Sequence, residues 1–178
     1  NRKILVVPID TTDHEFTPKQ VQNINTAFFG TSEENGWESV ASFYEKSSYG
    51  KLHITGEVTP VVHTNKTSSD LSATAKTYSN NNKQWTDYLL KDILSTLVQN
   101  GYDLREYDTN DDGYLDAIWM VYSVPYDQSS DLYWAYTTWL MAPPPINSTG
   151  RKHAFILGPP MALLIQTMVW KALGILMS

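Results

Sequence analysis

Two apolar runs set the terms for this chain: Ile4-Leu-Val-Val-Pro-Ile9 near its start, and Ala117-Ile-Trp-Met-Val121 more than a hundred residues later. Neither alternates apolar with polar residues, so each reads as a strand buried on both faces, the pattern of an interior strand. The second run is expected beside the first in the middle of one sheet. With 178 residues, 42% of them apolar, the chain can bury one substantial core and is too short to suggest two.

Between these runs the local signals are uneven. Thr17-Pro18-Lys19-Gln20 places an N-cap Thr, Pro at the first helical position and Gln at the third, with Phe16 and Val21 set for a hydrophobic staple. A helix follows, with Val21, Ile24, Ala27 and Phe28 on one face and Gly30 as its stop. Thr31–Gly36 reads as a polar, acidic link. A second helix is expected from Ser39, carrying Val40, Phe43 and Tyr44, and ending at Ser47, Ser48 and Gly50. Lys51–Val58 alternates Leu52, Ile54 and Val58 against His53, Thr55 and Glu57, the pattern of a half-buried strand. Gly56 interrupts its inward row and Pro60 marks its end or an edge. His63–Lys83, dominated by Ser, Thr, Asn and Lys, reads as a surface excursion. Trp85–Val98 regains a helical stripe of Leu90, Ile93, Leu94, Leu97 and Val98, stopped by Asn100-Gly101.

The second apolar run is preceded by an oxygen-rich loop. Asp108, Asn110, Asp112 and Asp116 match positions one, three, five and nine of a calcium loop around Gly113, and Tyr114 would offer its carbonyl at position seven. Calcium takes six to eight oxygens, and such a run gathers them without long-range closure. Position twelve is Trp119 rather than Glu, and a strand follows where an EF-hand needs a helix. The alternative is a solvated acidic turn, since Asp, Asn and Gly are ordinary turn formers.

After Asp127 the character changes. Asp131–Trp139 is aromatic and β-prone and is expected at a sheet edge. Residues 140–178 form an atypical Pro-rich and apolar tail, distinct from a body at 1–139. Within it Met161–Ser178 reads as a packed or interfacial helix rather than a membrane span, because Gln166 and Lys171 interrupt it.

Charge and composition exclude several functions. A net charge of −6 without a basic patch argues against nucleic-acid binding. The absence of cysteine removes disulfides, thiolate metal sites and a cysteine nucleophile together. Abundant Asn, Thr, Ser, Tyr and Trp with only 18% charged residues fits a secreted bacterial protein. No signal peptide is visible, so a mature or excised domain is expected. His14, His53, His63 and His153 contain no pair four residues apart, so His-Glu-x-x-His, whose two ligands share a helical face one turn apart, is missing. There is no Gly-x-Ser-x-Gly elbow and no phosphate loop.

Three blocks together nevertheless resemble a known family. Ile4-Leu-Val-Val-Pro-Ile-Asp10, the Ser39-Val-x-x-Phe-Tyr … Ser-Tyr-Gly-Lys-Leu … Gly-x-Val58 block, and Tyr107-Asp-Thr-Asn-Asp-Asp-Gly-Tyr-Leu-Asp116 are similar to the immune inhibitor A-like secreted zinc metallopeptidases, over residues 3–139. The resemblance implies an α+β, zincin-like domain with a mixed twisted sheet packed on helices, peptide or protein substrates, and a zinc ion whose ligands this chain does not supply. It leads to the expectation of a fragment or degenerate form without peptidase activity. A non-catalytic, calcium-stabilised extracellular module, binding a partner through the aromatic Tyr133–Trp139 surface, is the alternative.

Overall fold

The computed structural model describes residues 2–80, 85–109, 115–125, 133, 136–139 and 164–169, with backbone alone at 79–80, 85–88, 136–139 and 164–169. Its centre is β1 (Arg2–Asp10), buried from Ile4 onward, and β4 (Ala117–Tyr122), buried throughout. The two run parallel in direct register, Leu5 beside Ile118 and Ile9 beside Tyr122, as the two apolar runs predict. On the other flank β1 pairs in parallel with β2 (Ile54–Val58), and its last residues pair with β3 (Val62–His63). Beyond β4 lie β6 (Leu164–Val169), parallel to it, and β5 (Tyr136–Trp139), antiparallel to β6, in the order β2-β1-β4-β6-β5. The sheet is mixed and mostly parallel. β5 lies at its edge, where the aromatic segment is expected.

Because side chains alternate across a strand, β1 and β4 feed two cores. Ile4, Val6, Ala117, Trp119 and Val121 point to one face, where α1 (Pro18–Phe29) covers them with Ile24, Ala27 and Phe28. The Phe28 ring meets Trp119 edge-on at 5.0 Å. Leu5, Val7, Ile9, Ile118, Met120 and Tyr122 point to the other face. There α4 (Ser68–Asn80) contributes Leu71 and Ala75, and α5 (Trp85–Gln99) contributes Leu90, Ile93, Leu94 and Leu97. Both runs are apolar at every position because both faces are covered.

The helix ends obey local chemistry. Thr17 and Gln20 form a reciprocal capping box at α1, as their spacing requires. Gly30 ends α1 with extended backbone, not the left-handed form expected of a C-terminal glycine; a Cβ there would lie 2.5 Å from the Thr26 carbonyl oxygen. At α5 the expected left-handed stop is present, with Gly101 at φ +88° and the Tyr102 and Gly101 N–H groups donating to Leu97 and Val98.

Four expectations need correction. Thr31–Gly36 is not an open link but holds the short helix α2 (Ser32–Asn35), capped reciprocally by Thr31 and Glu34. In α3 (Val40–Ser47), Val40 packs on the core but Phe43 is 57% exposed, because a helix of eight residues meets the sheet along less than its whole apolar stripe. The polar stretch after His63 contains all of α4. Thr67 caps it, accepting the Asp70 N–H at 3.1 Å, and Leu71, Ala75 and Tyr78 supply a narrow apolar stripe that composition conceals. Finally, Leu164–Val169 within the expected tail helix is a strand, consistent with the β-branched Ile165, Thr167 and Val169. Among the described residues, no helix is long and apolar enough to cross a membrane.

Candidate functional site

The chain leaves β1 to build β2 through α1–α3 on one face. It then returns through α4 and α5 on the other face to build β4. The direction of winding therefore reverses between β1 and β4, and such a reversal opens a crevice at the carboxyl ends of the strands, where α/β sheets bind ligands. Asp10, Thr11 and Ser123 lie at that edge. The Ser123 N–H donates to the Ile9 carbonyl at 3.0 Å and its hydroxyl to the His14 carbonyl, tying the loop after β1 to the end of β4.

Asp10 is only 2% exposed. One carboxylate oxygen is 2.8 Å from His63 Nδ1 and the other accepts the Phe16 N–H at 3.3 Å, while the Asp10 carbonyl receives the Thr64 N–H and hydroxyl. His63 itself is 64% exposed on its side chain, so a buried carboxylate orients an accessible imidazole. Nearby, Asp13 accepts the Ser68 N–H at 2.8 Å and the Ser68 hydroxyl at 2.6 Å. Burial pushes the Asp13 carboxyl up, but its hydrogen bonds, chiefly the two from Ser68, outweigh it and hold the group well below the usual carboxylate range. Tyr133, expected on an aromatic binding surface, is instead buried and donates its hydroxyl to the Ser68 carbonyl at 2.8 Å. Desolvation pushes this phenol up to about 12.

The oxygen-rich loop lies at the opposite end of the sheet. Of its five expected ligands, Asn110, Asp112 and Tyr114 lie outside the described residues; Asp108 and Asp116 lie within them. Asp116 immediately precedes β4. Its N–H donates to the Tyr107 carbonyl at 2.9 Å, and its carboxylate takes Arg2 Nη1 at 2.5 Å on one oxygen and the Thr109 N–H at 3.0 Å on the other. Asp108 follows the 3-10 turn Leu104–Tyr107 and donates its N–H to the Arg105 carbonyl. The six residues of β4, about 20 Å at roughly 3.3 Å each, separate this loop from the carboxyl edge.

Among the described residues, no group of three or more His, Asp or Glu could hold a metal ion. His14 and Glu15 precede α1 and share no helical face, His53 pairs with Glu45 at 3.2 Å, and His63 is bound to Asp10. His153 lies outside the described residues. Among the described residues, the histidines and carboxylates do not fit a catalytic zinc centre.

Residues 3–117 match a peptidase catalytic domain, which places the chain among the metallopeptidases. The matching family is described as immune inhibitor A peptidase M6, catalytic domain, and since the match covers well over half its length, the chain belongs to that family. The match runs from Lys3, the second residue of β1, through Ala117, the first of β4, and ends before the 139 that the three blocks suggest. A search of curated proteins finds no match.

Proposed function

We propose that this chain is the amino-terminal part of the catalytic domain of a secreted, zincin-like zinc metallopeptidase, without peptidase activity as written. The family match over residues 3–117 carries the reading. In such enzymes two histidines hold zinc and a glutamate activates the bound water for attack on the peptide carbonyl. The absence of His-Glu-x-x-His from all 178 residues supports inactivity. The substrate class of the family is protein or peptide. The division into a body at 1–139 and an atypical tail at 140–178 belongs to the same proposal. Casein hydrolysis by the purified chain is expected to be nil; hydrolysis abolished by a zinc chelator would overturn the reading.

The Asp108–Asp116 loop is proposed to bind calcium in a structural role. Support comes from the spacing of Asp108, Asn110, Asp112, Tyr114 and Asp116 in the sequence. Binding to the native state alone would stabilise it by about 2.7 kcal/mol at a hundredfold excess over Kd. A thermal melt unchanged by millimolar calcium reduces the loop to an acidic turn.

A further inference from the structure

Strand register alone brings a carboxylate and an imidazole together at the carboxyl edge of the sheet. β1 and β3 run parallel, with Ile9 beside Val62 and Asp10 beside His63. Ile9 and Val62 both enter the core that α4 and α5 cover, so the next residue of each strand turns to the opposite face and the two side chains stand together. The pair is held from both sides. The Phe16 N–H occupies the second Asp10 oxygen, and the Thr64 N–H and hydroxyl fix the chain after His63 to the Asp10 carbonyl.

This arrangement activates one ring nitrogen. An ionised carboxylate only accepts hydrogen bonds, so in the neutral ring Nδ1 carries the proton towards Asp10 and Nε2 keeps the lone pair. That lone pair belongs to a side chain 64% exposed, while the carboxylate behind it is buried, where its attraction for positive charge on the ring is screened least. The other described histidines lack this combination. His53 Nδ1 lies 3.2 Å from Glu45, a carboxylate that is itself 51% exposed. His14 Nδ1 lies 3.5 Å from Asp13, whose two oxygens already take the Ser68 N–H and hydroxyl. A nucleophile oriented by a buried third group is the arrangement of covalent catalysis.

We propose that His63 is a nucleophile towards activated carboxylic esters, with Asp10 as its positioning residue, an activity beyond the peptidase reading. Nε2 attacks the ester carbonyl carbon, the bond from that carbon to the phenol oxygen breaks, and the phenolate leaves. The acyl-imidazolium so formed keeps its Nδ1 proton on the Asp10 carboxylate, which offsets the positive charge. Water then adds to the acyl carbon and the carbon–nitrogen bond breaks. The carboxylic acid departs, the second proton of the water passes to solvent, and neutral His63 is restored.

The test is hydrolysis of p-nitrophenyl acetate by the full chain, with mass mapping of the acetyl group after acid quench and long-range proton–nitrogen NMR of the imidazoles. The acetyl group is expected on His63. His63→Ala should lower kcat/KM by about tenfold or more, and His53→Ala, an exposed imidazole beside an exposed carboxylate, should leave it unchanged. In Asp10→Asn the rate should fall and the His63 ring should lose its preference for the Nδ1–H tautomer. If that variant does not fold, the parent protein decides: an Nδ1–H tautomer at His63 supports the pairing and an Nε2–H tautomer overturns it. The proposal is also overturned if folded His63→Ala keeps the parent rate, if His53→Ala loses as much, if the acetyl group lies on another residue, or if folded Asp10→Asn reacts as the parent does.

Discussion

Replacing Gly56 with alanine would place a methyl group into the tightest approach in the sheet. Gly56 pairs with Ile4 in the β1–β2 ladder, and a Cβ built there would lie 2.0 Å from the Ile4 carbonyl oxygen, 3.0 Å from its carbonyl carbon and 3.1 Å from its nitrogen. These are main-chain atoms of β1 and no rotamer change moves them. Since carbon and oxygen rest about 3.3–3.6 Å apart even in close contact, the strands must part by more than about 1 Å. The ladder bonds around Ile4 and Gly56 then fail. Two buried backbone groups left without partners, at about 1–3 kcal/mol each, give a loss of roughly 2–6 kcal/mol. With a urea m-value of about 2 kcal/mol per molar, the midpoint should fall by about 1–3 M. Gly36→Ala is the matched control: it has φ +72° and open space around the new methyl, so it carries only the left-handed penalty of about 1 kcal/mol. Urea titration followed by circular dichroism measures both. If Gly56→Ala costs no more than Gly36→Ala, the argument from close approach is refuted.

Other outcomes follow from the same contacts. Phe28→Ala should destabilise by about 3–5 kcal/mol, measured by denaturant titration, because the buried ring and its edge contact with Trp119 are both lost. Thr17→Ala should cost about 1 kcal/mol in the same assay by removing one half of the α1 capping box. For Tyr133 the folded state raises the phenol from 10.0 to about 12 and favours its neutral form. Its contribution is therefore whole below pH 10 and lost as pH rises to 12, at most about 2–3 kcal/mol. Tyr133→Phe should flatten that part of the stability profile. Asp13 has the opposite sign: its lowered carboxyl stabilises above pH 3.8, and that contribution drains away as pH falls below it. Asp13→Asn should flatten the acid limb, as read from melts across the acid range.

What the sequence disclosed depended on how local the cause was. The start of α1 was legible because Thr17, Pro18 and Gln20 carry its cap within four residues, and β1 and β4 were legible because burial on both faces leaves an unbroken apolar run. α4 was hidden because its core contact uses few side chains, chiefly Leu71 and Ala75, within a polar stretch. The strand at Leu164–Val169 is hidden from a helix expectation because an apolar run of mixed residue types suits either element. At the carboxyl edge, Asp10 meets His63 across 53 residues, a pairing fixed by strand order and invisible to any local pattern. The spacing of Asp108, Asn110, Asp112 and Asp116, by contrast, is a purely local pattern, and the calcium it is proposed to hold rests on residue types alone.

The pairing of β1 with β4 has a consequence during synthesis. Arg2 and Asp116, which meet at the amino end of the two strands, stand 114 residues apart in sequence. At about 5–20 residues per second, β1 leaves the ribosome roughly 6–23 s before its neighbour exists. For that interval an apolar strand destined for the interior is without one of its partners, an invitation to pair with other chains. Arg2-Lys3 before the run and Asp10 through Asp13 after it place charges and polar groups at both its ends. In the finished fold those same residues bond to Asp116, Glu106, His63 and Ser68. They serve first as gatekeepers of a nascent strand and later as its fastenings.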